Sequence, residues 1–190
     1  MLRFLNGTID DVLTLSVGKG IGLMKWYVDV SFGVHPDFKS HTGAGLTFEG
    51  GKGMPLPMSS KQKLMTSSST TSELVGADDA LPMIEWAPQF LEAQGYPVIK
   101  NVVYQDNKSA MLLEKNGKRS SGKRTRAINI RYFTITDLVE RGKLTIEYCP
   151  TDEMIADYMS KGLQGIKFKK FREQIMGFKK IEDPSTKVKS

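Results

Sequence analysis

Apolar and polar residues alternate at a period of two in residues 25–32, KWYVDVSF. Trp26, Val28, Val30 and Phe32 share one face of the predicted strand, and Tyr27, Asp29 and Ser31 share the other. The same period returns in HTGAGLTFEG, where Ala44, Leu46 and Phe48 alternate, and after a turn at residues 50–53 the stretch MPLPMSS predicts a third short strand. Three consecutive strands joined by tight turns predict an antiparallel meander. Ahead of it, LRFLNGT reads as the end of a helix closed by Asn6 and Gly7, and Val12, Leu13, Leu15 and Val17 predict another short strand. Gly18, Gly20 and Gly22 fit no dinucleotide or phosphate-loop pattern and read as a turn.

Beyond the meander the period lengthens. A Ser and Thr run at residues 66–71 leads into SELVGADDAL, which is helical, with one of the hydroxyls as its N-cap. A second helical stretch, residues 83–94, ends at Gly95; Pro88 inside it is expected to kink or shorten it, at a cost of about 3 kcal/mol if interior. PVIKNVVYQ predicts a strand, and DNKSAMLLEKNG follows at helical spacing, so Asp106 stands at a strand's C-terminal end, where open α/β sheets place their ligands. Residues 115–126 read as an exposed basic loop, 128–141 as a helix, 143–148 as a strand and 151–161 as a helix holding Asp157. This order predicts a mixed α/β sheet with helices on its faces.

Composition narrows the chemistry. A chain of 190 residues suits one domain with extensions, and 27 Lys and Arg against 21 Asp and Glu, net +6, point to a polyanionic partner, nucleic acid first. Cys149 is the sole cysteine, which excludes an intramolecular disulfide framework, and with two His it cannot build a Cys and His zinc site. Oxygen-ligand metals remain. No signal peptide and no apolar run of ~20 residues are present, so the expectation is an intracellular protein that is neither secreted nor in a membrane. The sequons at Asn6 and Asn107 are then chance matches.

Four acids occupy particular places: Asp29 mid-strand, Glu73 in the first helix after the meander, Asp106 at a strand end and Asp157 in a late helix. Taken singly each has an ordinary role, as a salt-bridge partner, a solvated helix residue, a helix N-cap and a surface charge. Together they fit two-metal chemistry, because carboxylates that repel one another become favourable once shared Mg²⁺ or Mn²⁺ neutralises them.

YVDVSF, HTGAGLTF, PMSSKQKLMTSSSTTSELVGADDA, YQDNKSAMLLEKNG, KRTRAINIRYFTITD, YCPTDEMIADYMSKGLQG and KFKKFRE, in that order, resemble the ribonuclease H region of copia-type retrotransposon Pol polyproteins. The resemblance runs from about Leu2 to Phe178. It implies a ribonuclease H-like fold, a five-stranded mixed sheet with an antiparallel three-strand meander plus two parallel strands, helices on both faces and the Asp29 strand at its centre. It implies metal-dependent hydrolysis of the RNA strand of RNA:DNA hybrids, with Asp29, Glu73, Asp106 and Asp157 as catalytic carboxylates around two Mg²⁺ (or Mn²⁺) ions. Asp29 would bridge both ions, Asp157 would hold the one on the attacking-water side, and Glu73 with Asp106 the other. Ser109 also matches the family.

Two positions depart from the family's pattern: Ala127 and Thr134 stand where it carries a His, or at the second a His or aromatic. With Pro88 they suggest drift, and a catalytically decayed nucleic-acid-binding remnant is the second reading; an exonuclease or integrase-like nuclease is a third, since one fold hosts many chemistries. The division expected is residues 1–22 as the remnant of a preceding reverse transcriptase or connection segment, 23–163 as the ribonuclease H-like domain, and 164–190 as a basic helix and disordered tail. The reverse transcriptase portion of the same polyprotein is the expected protein partner, in a cytoplasmic particle or the nucleus. Lys118, Arg119, Lys123, Arg124 and Arg126 are read as a phosphate grip on the hybrid. Phe168, Phe171, Ile175 and Phe178 form an apolar stripe that docks the tail helix on the core.

Overall fold

The computed structural model describes residues 2–116, 134–181 and 184. The period-two stretch around Asp29 becomes β1, Leu23–Ser31, and the two that follow become β2, His41–Phe48, and β3, Leu56–Lys61, paired antiparallel as the predicted meander. β4, Lys100–Gln105, runs parallel to β1 on its other side, and β5, Thr145–Tyr148, runs parallel to β4. The order β3-β2-β1-β4-β5 puts the Asp29 strand at the centre of a mixed five-stranded sheet.

Alternation along β1 feeds two cores. Met24, Trp26 and Val28 pack with Ala77, Ala80 and Ile84 of the long helix α2, Ser69–Ala93. On this face α3, Lys108–Asn116, adds Met111, and α4, Thr134–Glu140, adds Ile135. Tyr27 packs on the opposite face with Tyr104, Met154, Ile155 and Phe171, where α5, Asp157–Ser160, and α6, Gly165–Ile175, lie. Phe171 and Ile175 are buried, so the tail helix docks on the core through part of its predicted stripe. At the other end, helix α1, Leu2–Asn6, sets Phe4 edge-on against Phe168.

Three expectations need correction. The two helices predicted between residues 72 and 94 are one continuous helix of 25 residues, capped by Ser68, whose Oγ accepts from the Thr71 backbone N–H at 3.1 Å. Pro88 lies inside it without ending it. A proline at 88 deprives the Ile84 carbonyl of its helical donor, and the Asn101 amide donates to that carbonyl instead at 3.5 Å, while its Oδ1 accepts from the Trp26 indole N–H at 3.0 Å. The strand expected at Val12–Val17 is a single bridge, Ser16 to Lys52, with Val12, Leu13, Leu15 and Val17 all exposed. There Ser16 meets the turn between β2 and β3, and the chain also lies against the end of α6, Thr14 N–H donating to Met176 O. The helix expected over residues 151–161 is broken into a 3-10 turn, Thr151–Glu153, and the four-residue α5. Between them Met154, Ile155 and Ala156 are all buried, which one face of a helix does not allow.

The strand predicted over residues 97–105 starts at Lys100, and of the helix predicted over 128–141 the described part is α4. Lys118, Arg119, Lys123, Arg124, Arg126, Ala127 and the final residues 185–190 lie outside the described residues. Among those described, no helix is long and apolar enough to cross a membrane.

Asn101 therefore compensates Pro88. Replacing Asn101 by Ala strands a buried indole N–H and a buried carbonyl, and chemical denaturation should show a loss of about 2 kcal/mol. In a Pro88→Ala background, where the helix supplies its own N–H to Ile84, the loss should be smaller; equal losses in both backgrounds would contradict the compensation.

Candidate active site

The parallel pairing of β1 and β4 sets Tyr27 opposite Tyr104, so two residues further on Asp29 and Asp106 come level at the carboxyl ends of adjacent strands. Glu73 arrives from the start of α2. Its approach depends on Gly76, one turn later, where a Cβ would stand 2.3 Å from Val30 Cγ2, so only glycine lets α2 lie this close to β1. On the other side Asp29 faces Gly43 of β2 in register. A Cβ on Gly43 would stand 2.6 Å from Ala156 O and 2.7 Å from Ser160 N, so this glycine admits the α5 turn to the sheet. As a result, Asp29, Glu73 and Asp106 each place a carboxylate oxygen within 4.8 Å of the others, with Asp29 and Glu73 buried and Asp106 half-buried.

The three acids are held differently. Asp29 accepts from Ser160 Oγ in a short hydrogen bond through Oδ2 and from Lys161 Nζ at 3.2 Å through Oδ1. Asp106 accepts from Thr151 Oγ1 at 3.0 Å. The N-cap role open to Asp106 falls to Asn107, whose Oδ1 accepts from Ser109 N and Ala110 N at 3.1 Å, and Asp106 is left to the cluster. Ser109 itself is exposed on α3. Glu73 is 4% exposed, yet its Oε2 has no hydrogen-bond partner.

Asp157 lies apart from this trio and is fully buried. Its Oδ1 pairs closely with Lys161 Nζ, and its Oδ2 pairs with Lys167 Nζ at 2.5 Å. Lys161 thus touches both Asp29 and Asp157 and joins the fourth acid to the other three.

Burial sets the electrostatics. It pushes Asp29 up to about 6 against the pull of Lys161, and pushes Glu73 up to about 9, aided by the negative charges of Asp29 and Asp106. Burial works against the Lys161 ammonium, but Asp29 and Asp157 outweigh it and its pKa is raised. An open cleft of about 460 Å³, lined by Glu73, Asp29, Asp106, Lys108 and Lys161 among others, gives solvent access to the trio.

The arrangement fits a hard divalent cation: the donors are all oxygens, two are buried acids disfavoured as anions, and one buried carboxylate oxygen has nothing bound to it. Of the residues singled out in the sequence, the structure brings Asp29, Glu73 and Asp106 together and sets Asp157 beside them through a lysine. Lys161, Ser160 and Thr151 escaped the sequence reading. The four-residue spacing of Asp157 and Lys161 was the available signal for one of them.

No protein-family model matches the chain. It is 32% identical over 177 residues, 92% of its length, to the retrovirus-related Pol polyprotein from transposon TNT 1-94 of Nicotiana tabacum. It is 28% identical over the same share of its length to those from transposons RE2 and RE1 of Arabidopsis thaliana. The chain spans only 13%, 12% and 12% of these relatives' lengths. Among solved structures it is similar to LC11-RNase H1, isolated from compost by a metagenomic approach, with a TM-score of 0.56, 15% identity, and coverage of 73% of this chain and 93% of that one. By sequence the chain is thus a homologue of the retrovirus-related Pol polyproteins of plant copia-type transposons, and by architecture it is a ribonuclease H fold.

Proposed function

We propose that the chain is a metal-dependent endonuclease that hydrolyses the RNA strand of RNA:DNA hybrids, acting beside the reverse transcriptase portion of a retrotransposon polyprotein. The observation that carries this reading is the buried Glu73 carboxyl, whose Oε2 is unsatisfied, with one of its oxygens within 4.8 Å of those of Asp29 and Asp106, the last two at the carboxyl ends of two parallel strands. Asp29, Glu73 and Asp106 would hold Mg²⁺ or Mn²⁺, with Asp157 close by. When bound, such an ion activates water and stabilises the leaving oxygen of a phosphodiester displacement.

The chain's own residues supply the rest. Asp29 is fixed by Ser160 and Asp106 by Thr151, so neither carboxylate rotates freely before substrate arrives. Lys108 and Lys161 line the cleft and offer cations to backbone phosphates, a contact that accepts any sequence. The net charge of +6 suits the same partner, with the basic residues from Lys118 to Arg126 as a proposed further grip. RNA would be told from DNA by its 2′-hydroxyls. The decayed-remnant reading loses one of its supports, because Asn101 accommodates Pro88 within α2.

The direct test is cleavage of a labelled hybrid. The parent chain should cut with Mg²⁺ and not without it, and Asp106→Asn should lower cleavage by at least about two orders of magnitude while leaving circular dichroism unchanged. Cleavage by Asp106→Asn at the parent rate, or parent cleavage in a chelator, would overturn the assignment.

A second test uses pH. Both raised groups must give up protons before they bind a cation, so affinity for Mn²⁺ should rise with pH as it passes about 6 for Asp29 and approaches about 9 for Glu73. Titration calorimetry in buffers of different ionisation enthalpy should detect the released protons. Affinity that is flat over this window would show that the cation does not engage Glu73.

A further inference from the structure

Asp157 is the one acid of the four whose two oxygens both already meet a cation. Lys161 Nζ sits on Oδ1 and Lys167 Nζ on Oδ2, and Lys167 is anchored a second time on the Thr151 carbonyl at 3.0 Å. The Lys161 ammonium also reaches Asp29 Oδ1, so a single positive charge stands between two carboxylates that are 1% and 0% exposed. Glu73 Oε2, in contrast, has no partner. The four acids therefore divide into two unequal places for a cation: one among Asp29, Glu73 and Asp106 that no described cationic side chain fills, and one between Asp29 and Asp157 that a lysine fills.

We propose that Lys161 is a built-in counter-cation that takes the second cation's place, so that the protein free of nucleic acid holds one divalent ion and not two. The inference rests on the metal-dependent reading and goes beyond it by assigning Lys161 a role. Three features of the chain produce the arrangement. Lys161 follows Asp157 by four residues, which puts both on one side of the α5 turn. Gly43 lets that turn approach the sheet closely enough for its end to reach Asp29. A tethered ammonium competes at an effective concentration on the order of mM or more, which a free ion must exceed to displace it. Its side chain is 35% exposed and borders the cleft, within reach of an incoming phosphate, and its departure would uncover Oδ1 of Asp29 and Oδ1 of Asp157 together while Lys167 keeps Oδ2 of Asp157. Substrate and second cation would then arrive as a linked event.

The test counts Mn²⁺ bound to the full chain without nucleic acid at pH 8, from the electron paramagnetic resonance signal of the free ion. The parent should bind one ion, with a second absent or weaker by at least about tenfold. Lys161→Met should bind two, and Lys161→Arg, which keeps the charge, should bind one. Two ions of similar affinity on the parent would overturn the proposal, whether or not Lys161→Met folds. One ion on both the parent and a folded Lys161→Met variant would overturn the counter-cation role while leaving the metal site standing. No ion on the parent would overturn the metal reading itself, and this inference with it.

Discussion

The carboxylate of Asp29 sits 1% exposed in the central strand of a sheet, where an uncompensated charge would cost several kcal/mol, and the neighbouring elements are arranged around that cost. One flank compensates it. Ser160 and Lys161 donate to its two oxygens, brought there by an α5 turn that approaches the sheet only because residue 43 lacks a side chain. The other flank makes the cost worse, since Asp106 adds negative charge within 4.8 Å and burial holds the neighbouring Glu73 carboxyl against ionisation. A fold evolved for stability alone would place apolar residues or an arginine there. On the proposed reading, the trio is instead held for a cation whose charge exceeds what one lysine supplies.

That imbalance ties stability to pH. Asp29 and Glu73 have folded-state values raised above their ordinary ones, so their contribution to stability is fully present below the ordinary carboxylate range and is lost as pH rises through about 6 and then about 9. The metal-free protein is therefore least favoured under the alkaline conditions in which its acids are best able to bind a cation. On the proposed metal-binding reading, site and fold oppose one another here, and a bound cation would reconcile them by neutralising the carboxylates while they stay ionised.

Much of the architecture was legible in the sequence because it rests on local signals. Period-two alternation marked β1, β2 and β3, and the abrupt change from PVIKNVVYQ to DNKSAMLLEK marked a strand followed by a helix with Asp106 between them. What failed depended on partners distant in sequence. Pro88 looked like a helix breaker because nothing nearby shows that Asn101 donates to the carbonyl it frees. Val12 to Val17 alternated like a strand, but among the described residues no strand lies beside them to complete a ladder. The sequence singled out Asp29, Glu73, Asp106 and Asp157 as one set, of which the structure gathers the first three, while Lys161 went unnoticed, since its meaning comes from a contact with Asp29 across 132 residues. Gly43 and Gly76 carry the same lesson: each is a small residue in a plausible strand or helix, and the close approach that makes it necessary exists only in the folded sheet.

The central claim, that the buried acids are held for a divalent cation, is tested most directly by thermal unfolding of the full chain at pH 8 over a series of Mn²⁺ concentrations at constant ionic strength. A cation that binds only the folded trio must raise Tm progressively with the logarithm of its concentration once the site saturates. The account predicts that rise for the parent and its loss in Glu73→Gln. A Tm that does not respond to Mn²⁺, or one that rises equally in parent and variant, would contradict it.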